Sequence, residues 1–237
     1  MTRSWMKALD AYSYRVDLRK YKNARQFPGF FEIDIPGDRE STIAFEKHYQ
    51  ETAPTRIEPY LEVTYWKMAF RGPDNQTDIR WRKITKKGAT AQRLWYSVQQ
   101  FIGNQTEDNL ERIWEEFGYS DNGLASPLTF PALASPETLP MIDIQVAKWI
   151  NKNYRLHNIN RTSELTPFDM SSNSPLKGTN ANITSYVNWV HWCREASTVL
   201  TELYSKPWRA RDVEMAVYTA ERSKGKLDLE PLPKLEG

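Results

Sequence analysis

Asp143 stands in the stretch Leu139-Pro-Met-Ile-Asp-Ile-Gln-Val-Ala-Lys-Trp149, a carboxylate placed where a loop turns into a helix. Pro140 stops any earlier helix, Asp is a favoured N-cap residue, and Ile144, Ala147 and Ile150 repeat at helical spacing behind it. The positive end of a helix stabilises negative charge there. Two kinds of work suit such a group. It can cap the helix, or it can stabilise developing positive charge and orient water at a reacting centre. This stretch alone leaves both open.

The other chemistry-bearing residues narrow the field. A single cysteine, Cys193, excludes an internal disulfide and any all-cysteine iron–sulfur cluster. Lying between Trp192 and Arg194 in a helical stretch, it reads as buried packing. His48, His157 and His191 have no pairing at metal-ligand spacing, so neither a zinc site nor a cofactor is expected. A net charge of +2 neither demands nor excludes nucleic acid. The run Arg80-Trp-Arg-Lys-Ile-Thr-Lys-Lys87, with five cations in eight residues, is either a solvated loop or a phosphate-contacting edge. Arg82, Lys83 and Lys86 are its candidate contacts.

The elements that must position Asp143 are helical. A chain of 237 residues can bury a substantial core as one large domain or two intimate lobes. Residues 1–40 read as an irregular or extended segment, with Phe30-Phe-Glu-Ile-Asp-Ile35 as a short strand before the Pro36-Gly37-Asp38 turn. Ser41 or Thr42 is expected to cap a helix to about Glu51, followed by helices over about 58–70 and 89–102. Thr106 caps another, carrying Leu110, Ile113, Trp114 and Phe117, with acidic residues in its first turn. The turn region Phe117-Gly-Tyr-Ser-Asp-Asn-Gly-Leu-Ala125 and a short apolar helix lead to the Asp143 helix, which ends near Tyr154. Residues 155–180, rich in Asn, Ser, Thr and Pro, look like a surface insertion. Helices over about 183–203 and 210–222 follow, then an extended tail over 226–237. The whole is an all-α domain over 41–225. The N-terminal residues Met-Thr-Arg-Ser-Trp-Met-Lys carry no apolar run and no membrane span is visible, so a cytoplasmic protein is expected, nucleoid-associated if prokaryotic.

The order helix, glycine turn, helix, short loop, Pro140-Met-Ile-Asp143 resembles the catalytic segment of the helix-hairpin-helix DNA glycosylases. Gly118 lies 25 and Gly123 20 positions before Asp143, against a little under twenty in that family, and Ala125 matches the small residue of the second hairpin helix. The match covers about Thr106 to Tyr154. The resemblance implies an all-α, hairpin-containing fold in which Gly118, Ser120, Asn122, Gly123 and Lys148 contact the DNA backbone. It also implies that Asp143 stabilises an oxocarbenium-like sugar as a flipped base is released. Two departures qualify it. The usual leucine-proline-glycine-x-glycine hairpin is degenerate here. The lysine with which bifunctional members attack the sugar is absent, since Asn122, Gly123 and Leu124 occupy its place. A monofunctional enzyme is therefore implied.

Aromatic faces would be needed to hold the flipped base. Tyr65, Trp66 and Trp95 precede the hairpin, and Trp189, Trp192 and Trp208 follow it; Tyr65, Trp66 and Trp208 are the preferred candidates. Glu62, one turn from Trp66, is a candidate for accepting hydrogen bonds from a base edge. Core packing is the competing role for each aromatic residue. The expectation is a monomeric DNA glycosylase acting on duplex DNA, in repair or in defence against phage DNA. Its rivals are a catalytically silent DNA-binding module on the same scaffold and a helical partner-binding protein.

Overall fold

A computed structural model describes residues 3–14, 37–68, 84, 88–119, 123–159, 161–170 and 176–234. The Phe30–Ile35 strand, the basic run apart from Ile84, and Ser120 and Asn122 lie outside them. The described residues form α1 (Ser4–Asp10), α2 (Arg39–Thr52), α3 (Glu58–Met68), α4 (Ala91–Gly103), α5 (Glu107–Glu116), α6 (Thr129–Ala134), α7 (Ile144–His157), α8 (Asn180–Tyr204) and α9 (Ala210–Arg222). Among them the only bridge is an isolated pairing of Gly123 with Lys177. The fold is all-α, as expected. No helix of the described residues is long and apolar enough to cross a membrane.

Short polar side chains fix many of the helix starts, because they satisfy amide N–H groups that the first turn leaves unpaired. Thr90, Thr106, Asp143 and Thr179 each accept from an amide in the first turn of α4, α5, α7 and α8. At α2 the cap is Asp38, not Ser41 or Thr42. Asp38 accepts from the Ser41 amide at 2.8 Å, and the Ser41 hydroxyl accepts from the Asp38 amide in return.

The chain divides into two compact units. One, Ser13–Asn122 with Thr129–Ala134, contains α2 to α6 and has an aromatic core. Tyr60 packs edge-on to Tyr49 and Phe117, and Phe117 lies 4.2 Å from Phe130 between ring centroids. The other, Met1–Tyr12, Gly123–Leu128 and Ser135–Gly237, contains α1 and α7 to α9. Its core centres on Trp189 and Trp192, one helical turn apart on α8 and stacked at 5.6 Å and 14°.

Two expectations for this second unit need correction. The N-terminal segment is not wholly irregular: α1 forms and buries Trp5, Ala8 and Leu9. The described part of 155–180 is no loose surface insertion. Leu165, Phe168 and Leu176 are buried, and asparagine side chains clamp its backbone at both donor and acceptor. Asn158 accepts from the Leu165 amide and donates to its carbonyl. Asn151 does the same at Phe168 and Asn182 at Asp169. The tail, without helix or strand over 228–234, is held as far as Pro233, with Leu229 and Leu232 buried, Trp5 Nε1 donating to the Glu230 carbonyl and Arg161 to those of Leu232 and Pro233.

Candidate functional site around Asp143

Asp143 ends a loop, Ser135 to Asp143, that two neighbouring helices hold by its backbone. Three side chains of α8 donate to its carbonyls: Arg194 Nε to Thr138 at 2.9 Å, Tyr186 Oη to Pro140 at 3.0 Å and Trp189 Nε1 to Met141 at 3.1 Å. The first amides of α9 complete the grip, Ala210 donating to the Glu137 carbonyl and Arg211 to that of Pro136. Within the loop, Leu139 donates to the Ser135 carbonyl at 2.8 Å. Leu139, Pro140, Met141 and Ile142 are all buried. The carboxylate therefore leaves a segment with little freedom to move.

Asp143 itself is half-buried. Its Oδ1 accepts from both the Gln145 and Val146 amides, at 2.8 and 2.9 Å. One oxygen thus does all the capping, and among the described residues Oδ2 makes no hydrogen bond. Ile144, expected on the apolar face of the helix, is 43% exposed beside it. The core stripe of α7 is instead Val146, Ala147, Trp149 and Ile150.

Tyr218 of α9 is the second polar group here. It is buried, edge-on to Tyr12, and accepts at its phenol oxygen from Arg222 Nη1. Burial pushes the phenol above its ordinary range, the Arg222 guanidinium pulls it back, and the Asp143 carboxylate adds to the rise. Tyr218 is thus a protonated phenol near Asp143. Further along, Lys152 of α7 pairs with Glu221 of α9, while Lys148 is exposed.

The glycine turn after α5 is built differently. Gly118 has φ +66°, a left-handed conformation that glycine adopts without penalty. Its amide donates to the Glu115 carbonyl at 3.3 Å and the Tyr119 amide to that of Trp114 at 2.8 Å, the two bonds of a Schellman helix ending. Gly118 is buried. Its N–H is turned into the helix end, so it is not available to a phosphate, contrary to the hairpin expectation. Gly123 belongs to the other unit, where it pairs with Lys177.

The expected base-pocket residues also find protein neighbours. Residues 59–66 of α3 are buried without interruption, as in a helix with no solvent face. Tyr65 and Trp66 have no exposed surface, and Trp66 packs against Tyr14 and Phe45 at 4.7 and 5.6 Å. Glu62 is buried, with His48 Nε2 2.9 Å from its Oε2, so its carboxylate is engaged within the unit. Trp208, in the aspartate-bearing unit, is buried and stacked on Tyr204 at 5.8 Å. All four therefore pack against protein instead of presenting an open face to a base. Cys193 is fully buried, and burial pushes its thiol far above the ordinary range, in keeping with its expected packing role.

At the far end of α7, His157 is buried against Trp149, Trp5 and Trp192, with ring centroids 4.6, 6.1 and 6.1 Å away. Burial lowers its pKa to about 4, with Arg161 acting in the same direction and the Leu229 backbone opposing it.

Tyr186, Trp189 and Arg194 hold the loop before Asp143, Tyr218 feels its charge, and none was singled out from sequence for that role. Their only signal there is helical spacing, which marks core residues in general. No protein-family model, curated protein or solved structure matches this chain.

Proposed function

We propose that this chain is a monofunctional DNA glycosylase: a monomer that hydrolyses the N-glycosidic bond of a damaged or modified nucleotide in duplex DNA. The observation that carries the proposal is the division of labour within Asp143. Oδ1 caps α7 while Oδ2 is left over on a rigidly held loop, and the sequence order around it resembles that of the glycosylases. A carboxylate needed only as a cap requires no such fixed loop.

In the proposed reaction the target nucleotide leaves the duplex stack. The bond between C1′ and the base nitrogen breaks, and its electron pair departs with the base. Asp143 stabilises the positive charge left on the sugar and orients a water, whose oxygen bonds to C1′ as its proton passes to the carboxylate or to solvent. No Schiff base forms, because the positions after the hairpin glycines carry no amine. Tyr218 stands as a neutral phenol whose ionisation the carboxylate disfavours.

The test is mass spectrometry of free bases released from a panel of alkylated, oxidised, deaminated and phage-modified duplex DNAs, with Asp143→Asn in parallel. Release by the wild type and not by the variant supports the proposal; release by neither, or equally by both, overturns it. A DNA-binding module without catalysis on the same scaffold is the rival reading, and it predicts release by neither.

A further inference from the structure

Within the glycine turn, the Gly118 amide is spent inside its own helix end. A charged surface within the aspartate-bearing unit offers phosphate contacts of its own. The protein as a whole balances 32 cations against 30 acids, yet α7 carries Lys148, Lys152 and Arg155 and no Asp or Glu. All three cations are exposed. Together with Ile144 they stand at positions i, i+4, i+8 and i+11, which fall on one face of a helix. Lys148 and Arg155 are seven residues apart, roughly 10 Å along the axis, the axial rise of about three phosphates of one DNA strand.

The face continues onto a second element. The pairing of Lys152 with Glu221 joins it to the end of α9, where the chain reads Glu221-Arg-Ser-Lys-Gly-Lys226. Here Lys224 and Gly225 take positive φ, 53° and 83°. The Ser223 hydroxyl accepts from the Leu227 amide and so fixes the turn. Lys224 and Lys226 project into solvent from it, while Arg222 holds Tyr218, the neighbour of Asp143. Asp143 stands at the head of α7, Glu221 is already paired with Lys152, and Asp228 follows the turn in sequence.

We propose that this α7–α9 ridge is the phosphodiester-binding surface of the protein, along which one strand of duplex DNA runs past Asp143. It rests on the glycosylase reading only for the choice of polymer, since the charge and its arrangement do not depend on catalysis. The ridge supplies three exposed ammonium groups (Lys148, Lys224 and Lys226) that form no ion pair among the described residues.

The experiment uses the full-length protein and a 20-base-pair unmodified duplex, with affinity read by fluorescence anisotropy at several sodium chloride concentrations between 50 and 200 mM. Each phosphate neutralised contributes about 0.9 to the slope of log affinity against log salt. The triple variant Lys148→Gln, Lys224→Gln, Lys226→Gln should lower that slope by about two to three and weaken binding tenfold or more at the lowest salt. A control with the same charge change elsewhere, Lys47→Gln, Arg112→Gln, Lys206→Gln, should leave the slope nearly as in the wild type. Exposed lysines are dispensable for folding, and circular dichroism verifies this for both variants. An unchanged slope in the ridge variant, an equal fall in the control, or salt-independent binding by the wild type overturns the ridge. Base release is measured on the same DNA panel. A ridge effect without any base release leaves the ridge standing and removes the glycosylase; base release with an unchanged slope does the reverse.

Discussion

The C-terminal end of α5 and the N-terminal start of α7 are both helix termini, and they manage their unpaired backbone groups in opposite ways. At Gly118 the backbone closes on itself. Two amides return to two carbonyls of the last turn, and the price is a left-handed residue that only glycine takes easily. At Asp143 a side chain does the closing with one oxygen and retains another. The first end is saturated and self-contained. The second has a charged atom in reserve, on a loop fixed by Tyr186, Trp189 and Arg194. The proposed chemistry is placed at the end that has something left over.

The sharpest way to break that contrast is Asp143→Asn. The amide oxygen can still accept from Gln145 and Val146, so stability and DNA binding should hardly change. Base release, timed in single turnover, should fall by about a hundredfold to a thousandfold. Wild-type DNA product should remain an intact abasic strand, cleaved only by hot alkali, with no adduct trapped by borohydride. A trapped adduct would transfer the chemistry to an amine, Lys148 being the nearest in sequence.

Next in size is an acid sensitivity at the other end of α7. Unfolded, His157 should titrate near 6.5; folded, its pKa is about 4. Between those values the unfolded chain binds a proton that the folded chain refuses. Stability from this group is therefore complete above about pH 6.5 and lost progressively as pH falls towards 4, by on the order of 3 kcal/mol in all. Urea titrations from pH 7 to pH 4.5 should show the loss, and His157→Phe should flatten it. The same slope in the variant would assign the sensitivity elsewhere.

Smaller effects separate the two helix ends directly. Gly118→Ala forces a Cβ into the left-handed conformation and should cost about 1–2 kcal/mol in thermal or denaturant unfolding. DNA affinity of the folded protein should not change, because the amide faces inward. A selective loss of affinity would return phosphate binding to the hairpin. Asp143→Ala, measured against Asp143→Asn, should lose about 1 kcal/mol more stability through the missing cap.

Much of the scaffold was legible because local rules decide it. Thr106 and Asp143 are short acceptors ahead of helical periodicity, and both cap as expected. Pro207-Trp208 bounds a helix that begins at Ala210. Other features required partners distant in sequence. The Asn- and Ser-rich stretch after α7 has the composition of a surface loop, and nothing in composition reveals that Asn151, Asn158 and Asn182 each grip a backbone amide and carbonyl. A seven-residue α1 is too short to show periodicity, and Trp5 stabilises it through tertiary contacts. Within the candidate site, Asp143 was visible by position, whereas Tyr218 and the three α8 side chains that fix its loop were not. Tyr65 and Trp66 lie in a stretch of α3 that is buried over 59–66, polar Glu62 and Thr64 included, so its enclosure rests on tertiary packing that its residue types do not announce.

The burial of Cys193 has a practical consequence. With its only thiol sealed in the core and held far from ionisation, the folded protein should not react with maleimide dyes. An added cysteine at Lys224 or Ile144 would then be the sole labelling point. A dye attached there would sit on the α7–α9 ridge or beside Asp143 and test directly whether DNA arrives, with Cys193 left in place.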